Sequence, residues 1–351
     1  MSVSVYESHE VAKIRFRLIL RGIFHLWASM TRLLIIRFSS IGDIVLTSPV
    51  IRMLKEQLEG DVEIHFLTKA QYAGILTSNP YIDKLWTLGD SMEDVLKEME
   101  KIEFDYLIDL HRNLRTAIVR KRLKGLYFSF DKLNLKKWLL VNFGYDKLPR
   151  IHIVDRYLES LKPFGLKDDE KGLDYFIPED VHVDLKQFSY KEGEYLAWVI
   201  GAAHPGKRFS AHKVSYLLNK YQRKTILLGG KEDMSLAEEI MSTVEAPVLN
   251  MVGRCDLHES AWLLKHAHSV LSPDTGMMHI ASALKKKVFS VWGCTVPAFG
   301  MYPYLPGEGS VFLEPEGMEK RPCSKLGDHC KYPENCIEQI TDYQVMQALN
   351  S

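Results

Sequence analysis

From Arg32 onward the chain alternates short apolar runs with longer segments whose apolar residues recur at helical spacing. In the first half the runs are RLLIIRF (32–38), VEIHFLT (62–68), KLWTL (84–88), FDYLIDL (104–110) and GLYFSF (125–130). The second half repeats the rhythm with YLAWVIGA (195–202), KTILLGG (224–230), HSVLSPD (268–274), VFSVWG (288–293) and SVFLEP (310–315). Helical patterns such as MSLAEEIMSTV and LHESAWLLKHA lie between these runs. Apolar strands separated by helices predict parallel sheets covered on both faces. A polar, charged stretch from Lys167 to Glu194, with Pro178 inside it, is the expected linker. The expected architecture is α/β, with two doubly wound parallel-sheet domains facing a cleft. An extension occupies residues 1–30, a first domain 31–175, and a second domain with a C-terminal tail 190–351. The last helix is a candidate to pack back on the first domain.

Composition narrows the function. Hydrophobic residues make up 46% and charged residues 26% of 351, an ordinary globular balance. Lys and Arg equal Asp and Glu at 45 each, so the chain lacks the basic footprint of a nucleic-acid binder. An anionic ligand must then be held by a local site. Five cysteines, none in a C-x-x-C pair, suit a reducing compartment, and the cytoplasm is the expected location. Within residues 1–29, Lys13, Arg15, Arg17 and Arg21 alternate with Ile14, Phe16, Leu18 and Leu20. This stretch reads as a basic amphipathic helix on an anionic membrane surface, or as a non-native extension, because Met30 directly precedes the first strand-like run. The second reading is favoured.

Ligands of open parallel sheets bind beyond the carboxyl ends of the strands, so the chemistry is sought in the strand-end turns. The first turn, R-F-S-S-I-G-D (37–43), offers Gly42 for close approach and Asp43 as a helix cap or a general base. G-A-A-H-P-G-K-R-F-S (201–210) offers Lys207 and Arg208 to a diphosphate, without the order of a P-loop. S-P-D-T-G-M-M-H (272–279) places Gly276 at a helix N-terminus, a natural anion site. Asp274 there suits sugar hydroxyls, and His279 reads as a helix-packing residue. Glu232 or Asp233 in L-G-G-K-E-D is placed to accept from a ribose, and Thr295 in W-G-C-T to touch a phosphate. Each turn also has a plain structural reading, and the conjunction carries the argument.

Taken together, LLIIRFSSIGDIVLTSPVIRML, IDLHRNLRT, GAAHPGKRF, LLGGKED, SPDTGMMHIASAL and VFSVWGCT resemble glycosyltransferase family 9, the ADP-heptose:lipopolysaccharide heptosyltransferases, from about Thr31 to the C-terminus. The resemblance implies a GT-B fold and an inverting transfer with no required metal or cofactor. Asp43 falls on the family's general base. Lys207 falls on the diphosphate-binding residue, Asp274 on the acid contacting the transferred sugar, and Thr275 and Gly276 on backbone donors to the phosphates. Asp233 or Glu232 would meet the ribose, and Gly253 and Cys255 would border the base. Ala202 and Ala203 stand where some members carry hydroxyls, which loosens the donor assignment. The implied donor is ADP-heptose or another nucleotide sugar, and the implied acceptor a lipid-linked saccharide core, met by peripheral contact at the cytoplasmic membrane face.

Two features remain. Arg112, Arg115, Arg120, Lys121, Arg122 and Lys124 form a basic run after the fourth strand; Arg112 and Arg115 are the candidates for anionic groups of the acceptor. Cys323, Cys330 and Cys336, with His329, read as a loop of reduced thiols, with structural zinc as the alternative. Competing functions on the same fold are a nucleotide-sugar epimerase and a non-catalytic nucleotide-sugar binder. An epimerase would release sugar without an acceptor, and a retired site would be free to lose Asp43, Lys207 and Asp274.

Overall fold

A computed structural model describes residues 30–89 and 91–351; both readings of residues 1–29 fall outside this range. The described residues form two compact units. One comprises the chain through Ser39, Val50–Asp131 and Val154–Asp169; the other comprises Ser40–Pro49, Lys132–Ile153 and Glu170–Ser351. These are not the two continuous stretches that the linker suggested. Two excursions move into the second unit, and the earlier one carries Gly42 and Asp43.

In the first unit, β1 (Thr31–Ile36), β2 (Val62–Lys69), β3 (Lys84–Leu88), β4 (Tyr106–Asp109) and β5 (Leu126–Ser129) pair in the order β3-β2-β1-β4-β5, all parallel. β1 is the centre: Ile35 lies in register with Phe66 on one side and Ile108 on the other. Leu33, Leu34, Ile35 and Ile36 are wholly buried, which is why the strand reads as a continuous apolar run. Three helices follow the strands in this unit: α3 (Met92–Met99), α4 (Leu114–Arg122) and α6 (Ile153–Ser160), the last from its second residue. α1 (Ile41–Val45) and α5 (Asn134–Phe143) belong to the second unit, and α2 (Ser48–Gln57) begins there before joining the first. Arg52 on α2 is buried, and its guanidinium is gripped by both carboxylate oxygens of Asp169 at 2.7 and 2.9 Å. Pairing of this geometry is what makes a buried guanidinium tolerable.

In the second unit, β6 (Leu196–Val199), β7 (Thr225–Leu228), β8 (Val248–Asn250), β9 (Ser269–Pro273), β10 (Val288–Val291) and β11 (Val311–Leu313) pair in the order β11-β10-β9-β6-β7-β8, again all parallel. β8 has no counterpart among the expected runs. It is three residues long and at the sheet edge, and its apolar pair Val248–Leu249, between Pro247 and Asn250, is too short to read as a run. The helices are α7 (Ala211–Tyr221), α8 (Met234–Met241), α9 (Leu257–Lys265), α10 (Gly276–Ala283) and α11 (Asp342–Leu349). The last helix does not follow the expectation of a return to the first domain. Val345, Ala348 and Leu349 join Trp198, Leu217 and Leu218 in the core of the second unit.

Strand order reverses at β6, with β7 on one side and β9 on the other. The turns after β6 and β9 therefore open side by side, the placement at which such sheets bind ligands.

Candidate functional site

The turn after β9 is the centre of the site. β9 ends at Pro273 and α10 begins at Gly276, with Thr275 in extended conformation as the N-cap. Asp274, between them, is half-buried and engaged through one carboxylate oxygen. Its Oδ2 lies 2.7 Å from Lys207 Nζ and accepts the Thr295 hydroxyl at 3.1 Å. Lys207 Nζ also donates to the Asp274 carbonyl at 3.3 Å. Lys207 comes from the turn after β6, and Thr295 from the turn after β10. Three strand-end turns thus meet at one carboxylate. Thr295, expected to touch a phosphate, is 1% exposed, and its hydroxyl orients Asp274 instead.

Glycines permit this convergence. A Cβ on Gly206 would meet the Gly327 carbonyl at 2.6 Å and Cys294 Sγ at 2.7 Å, and one on Gly293 would meet the Gly206 carbonyl at 2.5 Å. Bare backbones let the Cys294 N–H donate to the Gly206 carbonyl at 2.9 Å, and the Gly206 N–H to the Gly327 carbonyl at 3.1 Å. Arg321, which the sequence did not single out, clamps the same turn. It donates to the carbonyls of Trp292, Gly293 and Thr295 at 2.9, 2.7 and 2.9 Å.

The fourth contribution is α1. Its Gly42 faces α10: a Cβ there would lie 2.5 Å from His279 Cδ2 and 3.3 Å from Gly276 Cα. A Cβ on Gly276 would meet Ile41 Cβ at 2.7 Å and the Gly42 nitrogen at 3.2 Å. Two helices touch backbone to backbone at this point, which only glycine allows. The contact brings Asp43, the next residue, to the helix that follows Asp274. Asp43 is half-buried, and its Oδ2 accepts the Ser40 N–H at 3.2 Å and the Ser40 hydroxyl at 2.9 Å. It therefore fulfils the cap reading, in an arrangement that also fixes the carboxylate's rotamer.

His279 is 2% exposed, and its Nδ1 has no hydrogen-bond partner among the described residues. Burial pushes its pKa down to about 4; the Asp274 and Asp43 carboxylates oppose the shift and Lys207 adds to it. A neutral imidazole thus packs on Gly42, in keeping with the helix-packing role expected for it.

The remaining candidates divide. Asp233 is 3% exposed; its Oδ2 accepts the Gly230 N–H at 2.9 Å and its Oδ1 pairs with Arg208 at 3.1 Å. A Cβ on Gly201 would collide with Asp233 Oδ2 at 1.9 Å. Burial raises the Asp233 pKa, offset by the Gly230 N–H and Arg208. This carboxylate ties the turns after β6 and β7 together, leaving Glu232 as the exposed acid of the pair. Gly253 has φ +69, a conformation that favours glycine, and lies against the Met234 side chain. Cys255 is half-buried, and burial pushes its thiol up to about 11. In the first unit, Arg112 is exposed and adopts φ 50. Its N–H donates to Asp109 Oδ1 at 2.6 Å and its guanidinium to the Phe130 carbonyl at 2.8 Å. Arg115 is exposed on α4, whereas Arg122 of the same basic run is paired with Glu93 and Glu100. Cys323, Cys330 and Cys336 converge on one another and on Cys294, while His329 faces solvent beside Asp328.

The His279 shift has a measurable consequence. Between its ordinary 6.5 and about 4, the unfolded chain binds a proton that the folded protein refuses. The corresponding stability, on the order of 3 kcal/mol, is complete above the ordinary value and is lost as pH falls towards 4. The melting temperature should therefore drop between neutral pH and about pH 4.5, and His279→Gln should flatten that dependence. Parallel melting curves for the two proteins would refute this account of His279.

Comparison with known proteins agrees with the geometry. The family profile described as glycosyltransferase family 9 (heptosyltransferase) matches residues 92–325. Lipopolysaccharide heptosyltransferase 1 of Campylobacter coli is 27% identical over 290 residues, spanning 75% of this chain and 84% of that protein. Among solved structures, the glycosyl transferase family 9 protein from Veillonella parvula superposes with a TM-score of 0.74 at 20% identity, covering 91% of this chain and 96% of that one. The E. coli heptosyltransferase WaaC, solved with ADP, gives 0.66 at 19% identity, covering 91% and 99%. These neighbours share the two-domain GT-B architecture. The chain belongs to glycosyltransferase family 9, the heptosyltransferase family, and is a glycosyltransferase.

Proposed function

We propose that the protein transfers heptose from ADP-heptose to a hydroxyl of a lipopolysaccharide core, with inversion at the anomeric carbon. The observation that carries this reading is the Lys207–Asp274 pair at the N-terminus of α10, with Asp43 on the short helix whose Gly42 packs against that same N-terminus. Family membership, the lipopolysaccharide heptosyltransferase of Campylobacter coli and the ADP held by the E. coli enzyme support the choice of sugar and nucleotide.

In this mechanism the donor diphosphate lies against Lys207 and the backbone N–H groups of Thr275 and Gly276. A helix N-terminus and an ammonium together favour an anion, most of all as ADP departs and its charge grows. Lys207 then divides its attraction between the diphosphate and Asp274. Asp274, aimed by the Thr295 hydroxyl, accepts hydrogen bonds from the sugar. Asp43 removes the proton of the attacking hydroxyl, its rotamer set by Ser40. Glu232 takes the ribose hydroxyls, Gly253 and Cys255 flank the base, and Arg112 and Arg115 meet anionic groups of the acceptor. No cofactor is required by these steps. A lipid-linked acceptor places the reaction at the cytoplasmic membrane face; among the described residues no helix is long and apolar enough to cross a membrane.

The direct test incubates the purified protein with ADP-heptose and a heptose-deficient core acceptor, following ADP release and acceptor mass. Acceptor-dependent ADP release with a heptose mass increment is the expected result. Release of an epimerised sugar without acceptor, or binding without turnover, would refute the proposal.

Two substitutions examine the parts. Asp43→Asn keeps an oxygen for Ser40 and so the cap, but it cannot take a proton. Turnover should fall on the order of 10²–10⁴-fold with melting temperature and donor affinity nearly unchanged. Near-normal turnover would reject Asp43 as base, and lost turnover with a collapsed melting temperature would assign it to the cap alone. Lys207→Ala should weaken donor binding about 10- to 100-fold in calorimetry, the scale of a lost charge-assisted contact. Because it also unpairs Asp274, melting temperature is measured alongside; unchanged donor affinity would remove Lys207 from the site.

A further inference from the structure

Outside the transfer site, one side-chain cluster is unaccounted for. Between Leu313 and Cys336 the chain forms no helix or strand, yet it contributes Cys323 and Cys330 to one point. Cys336 opens the 3-10 turn Cys336–Gln339, and Cys294 arrives from the turn after β10. The four sulfur atoms lie within 4.8 Å of one another. The separations are 3.5 Å for Cys294–Cys336, 3.8 Å for Cys323–Cys330, 3.2 Å for Cys323–Cys336 and 3.2 Å for Cys330–Cys336. Cys294, Cys323 and Cys336 are wholly buried, Cys330 partly so, and all four are free thiols. Tetrahedral zinc at about 2.3 Å from each thiolate sets its sulfur atoms roughly 3.8 Å apart. The cluster is close to that spacing with no backbone rearrangement.

We propose that Cys294, Cys323, Cys330 and Cys336 form a tetrathiolate site for one thiophilic metal ion, of which Zn²⁺ is the best match. Four sulfur ligands suit a soft or borderline-soft ion and disfavour magnesium or calcium. Four protein ligands also close the coordination shell, so the ion is structural and takes no part in the transfer. A long stretch without regular structure has little cooperative hydrogen bonding of its own, and a bound ion supplies the missing constraint. The spacing is unlike a zinc ribbon because the fourth ligand is distant in sequence. Cys294 meets the others only when the turn after β10 folds against the loop, joined by the Cys323 N–H to the Cys294 carbonyl at 2.9 Å. His329, the alternative fourth ligand from sequence, points to solvent.

The ion would hold more than the loop. Cys294 precedes Thr295, which orients Asp274, and the loop carries Gly327, against which the Lys207 side chain lies. On the reading of Lys207 given above, losing the metal should loosen the diphosphate site as well as the tail; metal content itself is independent of that reading.

The test uses the full chain expressed in zinc-supplemented medium and purified without chelators or immobilised metal. Elemental analysis should find one zinc or iron ion per chain. A mercurial thiol reagent should release it as sulfur–mercury bonds form at the four cysteines, and Cys330→Ser, at the most exposed ligand, should purify with a small fraction of the metal. Iron in place of zinc would be seen as thiolate-to-iron absorption and would equally uphold the site. Metal-free protein that stays metal-free after anaerobic reduction and incubation with Zn²⁺, or four cysteines recovered as two disulfides, would overturn it. So would full metal content in Cys330→Ser.

Discussion

Asp43 reaches the strand-end site of the second unit because α1 and α10 meet without side chains between them. Gly42 lies against Gly276 and His279 so tightly that an added methyl on either glycine would overlap its neighbour. The contact is short-range and apolar, and it sets Asp43 beside the helix whose N-terminus holds the Lys207–Asp274 pair. Asp274 is held by Lys207, and Asp43 by Ser40.

The same device recurs around the sheet. Gly201 leaves room for Asp233, and Gly206 and Gly293 let the turns after β6 and β10 exchange a backbone hydrogen bond. The approach at Gly201 buries Asp233 with Arg208 and the Gly230 N–H as partners, and the one at Gly206 pairs its carbonyl with the Cys294 N–H. These pairings hold the strand-end groups in place, and fixed charges are those that stabilise a developing charge most effectively. A chain of zero net charge achieves this locally, through pairs rather than an overall field.

Much of this was legible in the sequence. Ten apolar runs mark ten of the eleven described strands, most plainly where a parallel strand is buried throughout, as β4, β6, β7, β9 and β10 are. Strand-end placement of Asp43, Lys207 and Asp274 followed from topology alone. What escaped depends on partners distant in sequence. Asp233 and Glu232 are adjacent acids in the same turn, and only the approach of Gly201 and Arg208 decides which is buried. Thr295 turns inward because Asp274 is there to accept from it. Cys294 sits apart from the tail cysteines and joins them through the same turn, and Arg321 finds its three carbonyls there. β8 was missed for the opposite reason: its two apolar residues, Val248 and Leu249, stand between Pro247 and Asn250, too short a run to read.

The most direct test of the central contact is Gly42→Ala, alone and with His279→Ala. Alanine in an open helix is favoured over glycine by about 0.5–1 kcal/mol, so propensity alone predicts a more stable protein. The clash with His279 predicts the opposite: a lower melting temperature and a large fall in heptosyl transfer, both partly restored when His279→Ala makes room. A Gly42→Ala protein as stable and as active as the parent, with no coupling to position 279 in the double-mutant cycle, would contradict the account.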